Sequence, residues 1–328
     1  MSTDDGSDRG LLAYFGFGTA ATEPAEDQLN ALKRSRTIRR VLMGIGLVVF
    51  GILFQRALSE VGFTIGEIVR YWPEFTAALG QFFPPATYFG IPFIDMGAYW
   101  EFIQARNLFQ QAIITLSMGF AGTVLGFPGA LILGVLGSER VTPFPFNFIF
   151  RGIMSTIRAI PALVWALIYI PLGGVTPFTA TLAIGTDTMG NLGRLFTDEL
   201  EEIEDGPIEG IRSTGADGPQ TVVFGMLSQV FTPFIAWALY IFEINTRIAV
   251  TMGLIGGGGL GYVLLLERQL FHYTNMMATI LVILMLVISV EMISQRTRSY
   301  LRGGESDSKG FLTLLKEFPQ RMAESIWK

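Results

Sequence analysis

Leu108 to Leu136 reads LFQQAIITLSMGFAGTVLGFPGALILGVL. It exceeds the roughly 20 apolar residues that a helix needs to cross a bilayer, and Pro128 interrupts it. Half of the 328 residues are hydrophobic and only 16% are charged, with a mean hydropathy of +0.47. That is too little charge to cover a soluble surface, so the chain reads as an all-α membrane protein.

Working outward, a short inner loop with Glu139 and Arg140 follows this span. Phe144 to Leu172 is a further apolar stretch holding Arg151, Arg158 and Pro161. Proline lacks the amide donor and biases Ile160 away from helical angles, which predicts a kink or break there. Gly173 to Pro177 reads as a tight outer turn, and further spans are expected at Phe178–Phe196, Thr221–Ile244 and Met276–Ile293. Upstream, Val41 to Leu58 is the first of six spans and follows a basic cluster of Lys33, Arg34, Arg36, Arg39 and Arg40. Cations flanking a span mark the cytoplasmic side. Arg296, Arg298 and Arg302 after the last span agree, so both termini are expected in the cytoplasm. The inner loop Asp198–Gln220 carries eight acids against the single Arg212, but acids contribute little to orientation.

Between the first two spans, Ile68, Trp72, Phe75 and Leu79 recur at helical spacing. Ile65–Phe83 is therefore expected to be an amphipathic helix on the outer membrane face. Met1 to about Asn30 is polar and acid-rich, without the pattern of a signal peptide. Near the other end, Phe311, Leu315, Phe318, Met322 and Ile326 predict a short interfacial helix.

Several functions are excluded by what is missing. The absence of cysteine rules out thiolate metal sites and cysteine nucleophiles, and one histidine, His272, is too few for a histidine-rich metal site. No recognisable catalytic arrangement surrounds any serine or aspartate. A net charge of −5 offers no basic patch for nucleic acid. The run Gly256, Gly257, Gly258 and Gly259 lacks the lysine and hydroxyl residue of a phosphate-gripping loop. No cofactor is therefore expected on this chain, and any ATP must be used by another polypeptide.

The long inner loop reads Asp205-Gly206-Pro207-Ile208-Glu209-Gly210-Ile211-Arg212-Ser213-Thr214-Gly215-Ala216-Asp217. It resembles the ATPase-coupling loop of ABC importer permeases, written Glu-Ala-Ala, three residues, Gly, nine residues, then Ile-x-Leu-Pro. Glu209, Gly215 and Leu227 match that pattern. Gly210 and Ile211 stand for the alanines, Gly225 for the isoleucine and Ser228 for the proline. The phosphonate-transport permeases are more similar still, with Gly-Pro-x-Glu at Gly206–Glu209 and an Arg-x-Thr-Gly-Ala run at Arg212–Ala216. Phe242-Glu243-Ile244-Asn245-Thr246-Arg247 repeats their Phe-Glu-Ile-Asn-x-Arg, and Gly253–Gly261 resembles their glycine loop. Arg158-Ala159-Ile160-Pro161-Ala162-Leu163-Val164-Trp165-Ala166 and Phe83-Pro84-Pro85 also fall where that family has comparable runs.

The resemblance covers roughly Phe83 to Ile293. It implies a type I ABC importer permease in the cell membrane, acting as a homodimer with separate ATPase subunits and an extracytoplasmic solute-binding protein. The implied cargo is phosphonate or a related phosphorus oxyanion such as phosphate or phosphite. The chain then divides into a cytoplasmic tail (1–36), a first span with an extracytoplasmic segment (37–107), a five-span permease core (108–296) and a second cytoplasmic tail (297–328).

Pro207 suits a helix start, Glu209 would favour the positive helix end, and Gly215 suits a left-handed cap. An ordinary solvated loop with one turn of helix is the plainer reading. Gly256, Gly257, Gly258 and Gly259 are expected to form a close-packed outer loop, either a gate or a simple connection. Ionisable groups within spans cost about 2.5–3.5 kcal/mol each on insertion, so they face protein or water. Arg158, Asp187, Glu243 and Arg247, with Asn245, are the candidate substrate path, and Glu291 is a further charge. Glu243 and Arg247 are four apart and either pair with each other or meet substrate. Arg158 has no obvious local acid, and its planar fork suits an oxyanion unless Asp187 partners it. The competing class is an ion-gradient-driven secondary transporter, which would leave the coupling loop unexplained.

Overall fold

The computed structural model describes the backbone of residues 25–301, Phe89 excepted, and side chains from Arg36 onward except Thr37 and Phe89. Most of the acidic tail, Arg302 and the expected helix at Phe311–Trp327 lie outside the described residues. The described chain is almost wholly helical and divides into two compact units at Thr76/Ala77.

In the first unit, α1 (Ala25–Glu60) contains the first expected span, and Ile38–Glu60 is long and apolar enough to cross a membrane. The amphipathic helix is present as α2 (Ile65–Phe82), which runs across the unit boundary.

The second unit starts with two features that the sequence reading missed. Strands β1 (Pro85–Tyr88) and β2 (Ile91–Ile94) pair antiparallel, and α3 (Met96–Ala105) follows, capped where Asp95 accepts from the Ala98 amide at 3.0 Å. Then come α4 (Leu108–Gly137), α5 (Phe146–Ala159), α6 (Ala162–Ile168) and α7 (Pro177–Glu201). The inner loop holds α8 (Asp205–Ser213). A helical turn at Gly218–Gln220 leads through a π-helical segment, Thr221–Leu227, into α9 (Ser228–Gly253). α10 (Gly259–Gln269) and α11 (Tyr273–Leu301) complete the described fold.

Among the described residues, four helical stretches are long and apolar enough to span, and a fifth counts if the bent pair α5–α6 is one span. That pair bends by 88° at Ile160–Pro161, where the sequence placed the break. α7 occupies the fourth expected span. Its 25 residues suffice in length, but Asp187, Arg194 and Asp198 lower its apolar character. α7 is also enclosed by its neighbours, with about half its residues buried. A helix that meets protein rather than lipid need not be apolar on every face.

Small residues allow this enclosure. A Cβ on Gly126 would stand 2.5 Å from the Gly185 carbonyl, and one on Gly134 would stand 2.8 Å from the Gly193 carbonyl. The paired numbers rise together, so α4 and α7 run parallel at near backbone contact, as small-residue stripes permit in membranes. Phe196 of α7 then stacks on Phe234 of α9 with ring centroids 4.0 Å apart, closing the core on a third side.

Candidate functional site

α8 is amphipathic in the simplest way. Ile208 and Ile211, three apart, turn inward, and Ile208 joins Leu200, Ile203, Met226 and Val230 in the core. Gly206, Pro207, Glu209, Gly210, Arg212 and Gly215 are all exposed. Pro207 sits in the first turn, where helix amides lack partners and its missing N–H costs little. The acid in that turn is Asp205, whereas Glu209 lies at mid-helix, so it is Asp205 that the positive helix end favours. Gly215 takes φ +87° and its amide donates to the Arg212 carbonyl at 3.0 Å, the left-handed stop that the sequence suggested. Asp217 and Gln220 then cap each other reciprocally and start the next helix.

At the bend, Pro161 cannot donate to the Ile157 carbonyl. The Trp165 indole takes over, donating to that oxygen at 3.3 Å, and the Ile160 amide adds a second contact. The carbonyl freed by the proline is thus held by protein. The Tyr169 hydroxyl pins the segment to Thr186 of α7 at 2.7 Å.

Arg158 stands one residue before the end of α5 and is exposed. Its Nε donates to the Asn191 side-chain oxygen at 3.3 Å. Asn191 in turn donates to the Asp187 carboxylate at 2.9 Å. Asp187 is buried, so a neutral amide bridges the buried acid and the exposed arginine. Among the described residues, Arg158 makes no direct ion pair. Asn191 was missed in the sequence, although its place four residues after Asp187 on one helix face was a usable signal.

The remaining candidates sit elsewhere. Glu243 is buried and clamped by Arg247 of its own helix and by Arg298 of α11 at 3.3 Å. Arg247 also lies 3.9 Å from Glu291. Asn245 is 1% exposed, and its amide donates to Thr123 and Thr188, each at 2.8 Å, joining α9 to α4 and α7. Glu243 and Arg247 therefore do pair with each other.

The four loop glycines, read from sequence as one group, divide into two kinds. Gly256, Gly258 and Gly259 all have positive φ, forming a tight corner between α9 and α10. Gly257 is not among the positive-φ glycines, and it is buried. Its amide donates to the Met252 carbonyl at 3.0 Å, and a Cβ there would stand 2.8 Å from that same oxygen and 3.3 Å from the Ala180 Cβ. Gly257 is thus needed for close approach to α9 and α7 rather than for its backbone angle. Thr115 of α4 accepts from the Leu260 amide at 2.9 Å, and a Cβ on Gly259 would overlap that same hydroxyl.

Beyond this corner, Glu267 is 1% exposed and accepts from Arg106 at 3.1 Å and from Asn275 at 2.9 Å, with His272 also at 2.9 Å. Burial raises the pKa of Glu267, but the bonds from Asn275 and His272 and the charge of Arg106 outweigh it. Its carboxyl is held below the usual glutamate value.

Comparison with known proteins agrees with this architecture. The sequence model described as "Binding-protein-dependent transport system inner membrane component" matches residues 126–299, more than half of the chain. The chain is 26% identical over 269 residues to the phosphite transport system permease protein PtxC of Stutzerimonas stutzeri, covering 77% of this chain and 92% of that one. It is 30% identical over 196 residues to the phosphate-import permease protein PhnE of Mycolicibacterium smegmatis, covering 60% and 37% respectively. Among solved structures, an inward facing conformation of the MetNI methionine ABC transporter superposes with a TM-score of 0.54 at 21% identity, over 59% of this chain and 95% of that chain. These relatives leave no place for a gradient-driven secondary transporter. The chain belongs to the binding-protein-dependent transport system inner membrane component family, as the membrane-spanning permease of an ABC-type importer.

Proposed function

We propose that two copies of this chain form the pore of an importer for a phosphorus oxyanion: phosphite, phosphate or a phosphonate. The observation that carries the substrate class is Arg158, an exposed guanidinium beside the α5–α6 bend that hydrogen-bonds a neutral amide and, among the described residues, makes no direct ion pair. A charge of this kind within a spanning segment requires water, a partner copy or a ligand in front of it. Its two-pronged fork matches phosphorus oxygens. The names of the phosphite and phosphate permease relatives point to the same chemistry.

In this reading both termini are cytoplasmic. Separate ATPase subunits dock on the exposed face of each α8, and a solute-binding protein delivers cargo to the outer face. ATP binding closes the ATPase pair, and the docked helices carry that motion into the spans and alternate access. The corner of Gly256, Gly257, Gly258 and Gly259 acts as the outer gate. The test is uptake into proteoliposomes holding the permease, its co-encoded ATPase and its binding protein. ATP-dependent uptake of labelled phosphite, phosphate or methylphosphonate is expected, and ATP-independent uptake of any of them would refute it.

A further inference from the structure

At the base of the fold, Arg151 of α5 touches three elements at once. Its Nε donates to the carbonyl of Gly137, the last residue of α4, at 2.8 Å. Its NH2 pairs with the carboxylate of Glu201, the last residue of α7, and lies 3.7 Å from Glu139 in the α4–α5 loop. The backbone amide of Glu139 donates to the same Glu201 oxygen at 3.1 Å. One residue on, Arg140 donates to Asp205, the first residue of α8, at 2.7 Å. An unbroken chain of polar contacts thus runs from the start of α8 through the α4–α5 loop to Arg151. Arg158 lies two turns further along the same helix as Arg151, a rise of about 10.5 Å.

The links differ in strength. The side chain of Asp205 is 77% exposed, so its pair with Arg140 is screened and contributes little holding energy. Arg151 and Glu201 are 23% and 30% exposed, and the guanidinium fork satisfies a helix-end carbonyl and a carboxylate together. Arg151 also adds a cation at the carbonyl end of α4, where the helix dipole favours one.

We infer that Arg151 is the positioning residue of the transport cycle: it makes α5, with Arg158, follow the displacement that docking imposes on α8. Arg151 grips the inner ends of α4 and α7, which lie at near backbone contact, so α5 with Arg158 follows those ends when the loop joined to α8 is displaced. The inference rests on the proposal that α8 docks an ATPase.

The experiment uses the full complex in proteoliposomes, with phosphite as the transported probe. It measures uptake per ATP hydrolysed, ATPase retention and melting temperature for Arg151→Gln, Arg151→Lys and the exchange Arg151→Glu/Glu201→Arg. Arg151→Gln is expected to keep the ATPase bound and lower uptake per ATP about tenfold. Arg151→Lys should fall between it and the wild type, and the exchange should recover part of the loss. Unchanged uptake per ATP in Arg151→Gln overturns the inference. So does a loss of uptake that merely tracks a fall in melting temperature, with no recovery in the exchange. Failure of the wild-type chain to retain an ATPase refutes the docking proposal itself, which separates the two ideas.

Discussion

Ile211 lies directly beneath Gly225: its Cδ1 is 3.3 Å from where a Cβ on Gly225 would stand. These residues are two of the chain's departures from the general coupling-loop pattern, an isoleucine in place of alanine and a glycine in place of isoleucine. The bulk has changed sides of one contact between α8 and the π-helical segment. The departures compensate, and volume-conserving exchanges of this kind are the best tolerated in packed interiors.

Gly225→Ile alone should therefore overpack the contact and destabilise the seat of α8 by about 1–3 kcal/mol. Adding Ile211→Ala should restore it. The measurement is melting temperature with ATPase retention for both single variants and the double variant. A double variant no better than Gly225→Ile would show that the two positions are independent.

Glu267 makes a prediction about acid. Its folded-state pKa lies below the reference value of 4.5, so its contribution is complete above that value and disappears as pH falls through the lower, folded pKa. Glu267→Gln should cost about 1–3 kcal/mol at pH 7, because the donors on Arg106, His272 and Asn275 lose a charged acceptor. The gap between wild type and variant should narrow in acid below pH ~4.5. Melting temperatures in detergent from neutral pH downward test this, and a gap constant with pH would contradict it.

What could be read from the sequence was whatever is encoded within a turn or two of chain. The apolar runs, the break at Pro161, the stop at Gly215 and the α2 periodicity each depend on neighbours in sequence. The hairpin was hidden because Pro84, Pro85 and Pro92 look like breakers, yet a two-stranded ribbon exposes enough edge to hold them. Arg298 was read only as a topological charge, since its partner Glu243 is 55 residues away. The Arg151–Glu201 pair was equally illegible, because the packing of α5 on α7 creates it. Gly257 could not be told from its three neighbours for the same reason, as its contact with Ala180 comes from α7. Asn191 is the exception: its spacing from Asp187 was visible.

Topology can be tested directly because the chain has no cysteine of its own. Ser213 and Gly80 are both exposed on the protein surface. Cysteine introduced at Ser213 should react with impermeant thiol reagents only from the cytoplasmic side, and cysteine at Gly80 only from outside. The reverse pattern would overturn the orientation, and with it the placing of α8 beside an ATPase.

The Arg158–Asn191–Asp187 relay separates a substrate contact from a structural pair. Arg158 is exposed, and its hydrogen bond to Asn191 is long at 3.3 Å, so little stability depends on it. Asp187 is buried with Asn191 as its hydrogen-bonding partner, and Asn191 also donates to the Asp187 backbone carbonyl at 3.1 Å. Arg158→Gln should therefore abolish uptake while leaving the melting temperature and complex assembly near wild type. Arg158→Lys keeps the charge but loses the fork, and should retain only a fraction of the uptake. Asn191→Leu removes a donor from a buried carboxylate and should lower stability by about 1–3 kcal/mol as well as uptake. Asp187→Asn relieves the buried charge and should be milder in stability than Asn191→Leu. Uptake and melting temperature measured together decide the matter. If Arg158→Gln lost both in proportion, as Asn191→Leu is expected to, Arg158 would be a structural residue and the oxyanion path would have to lie elsewhere.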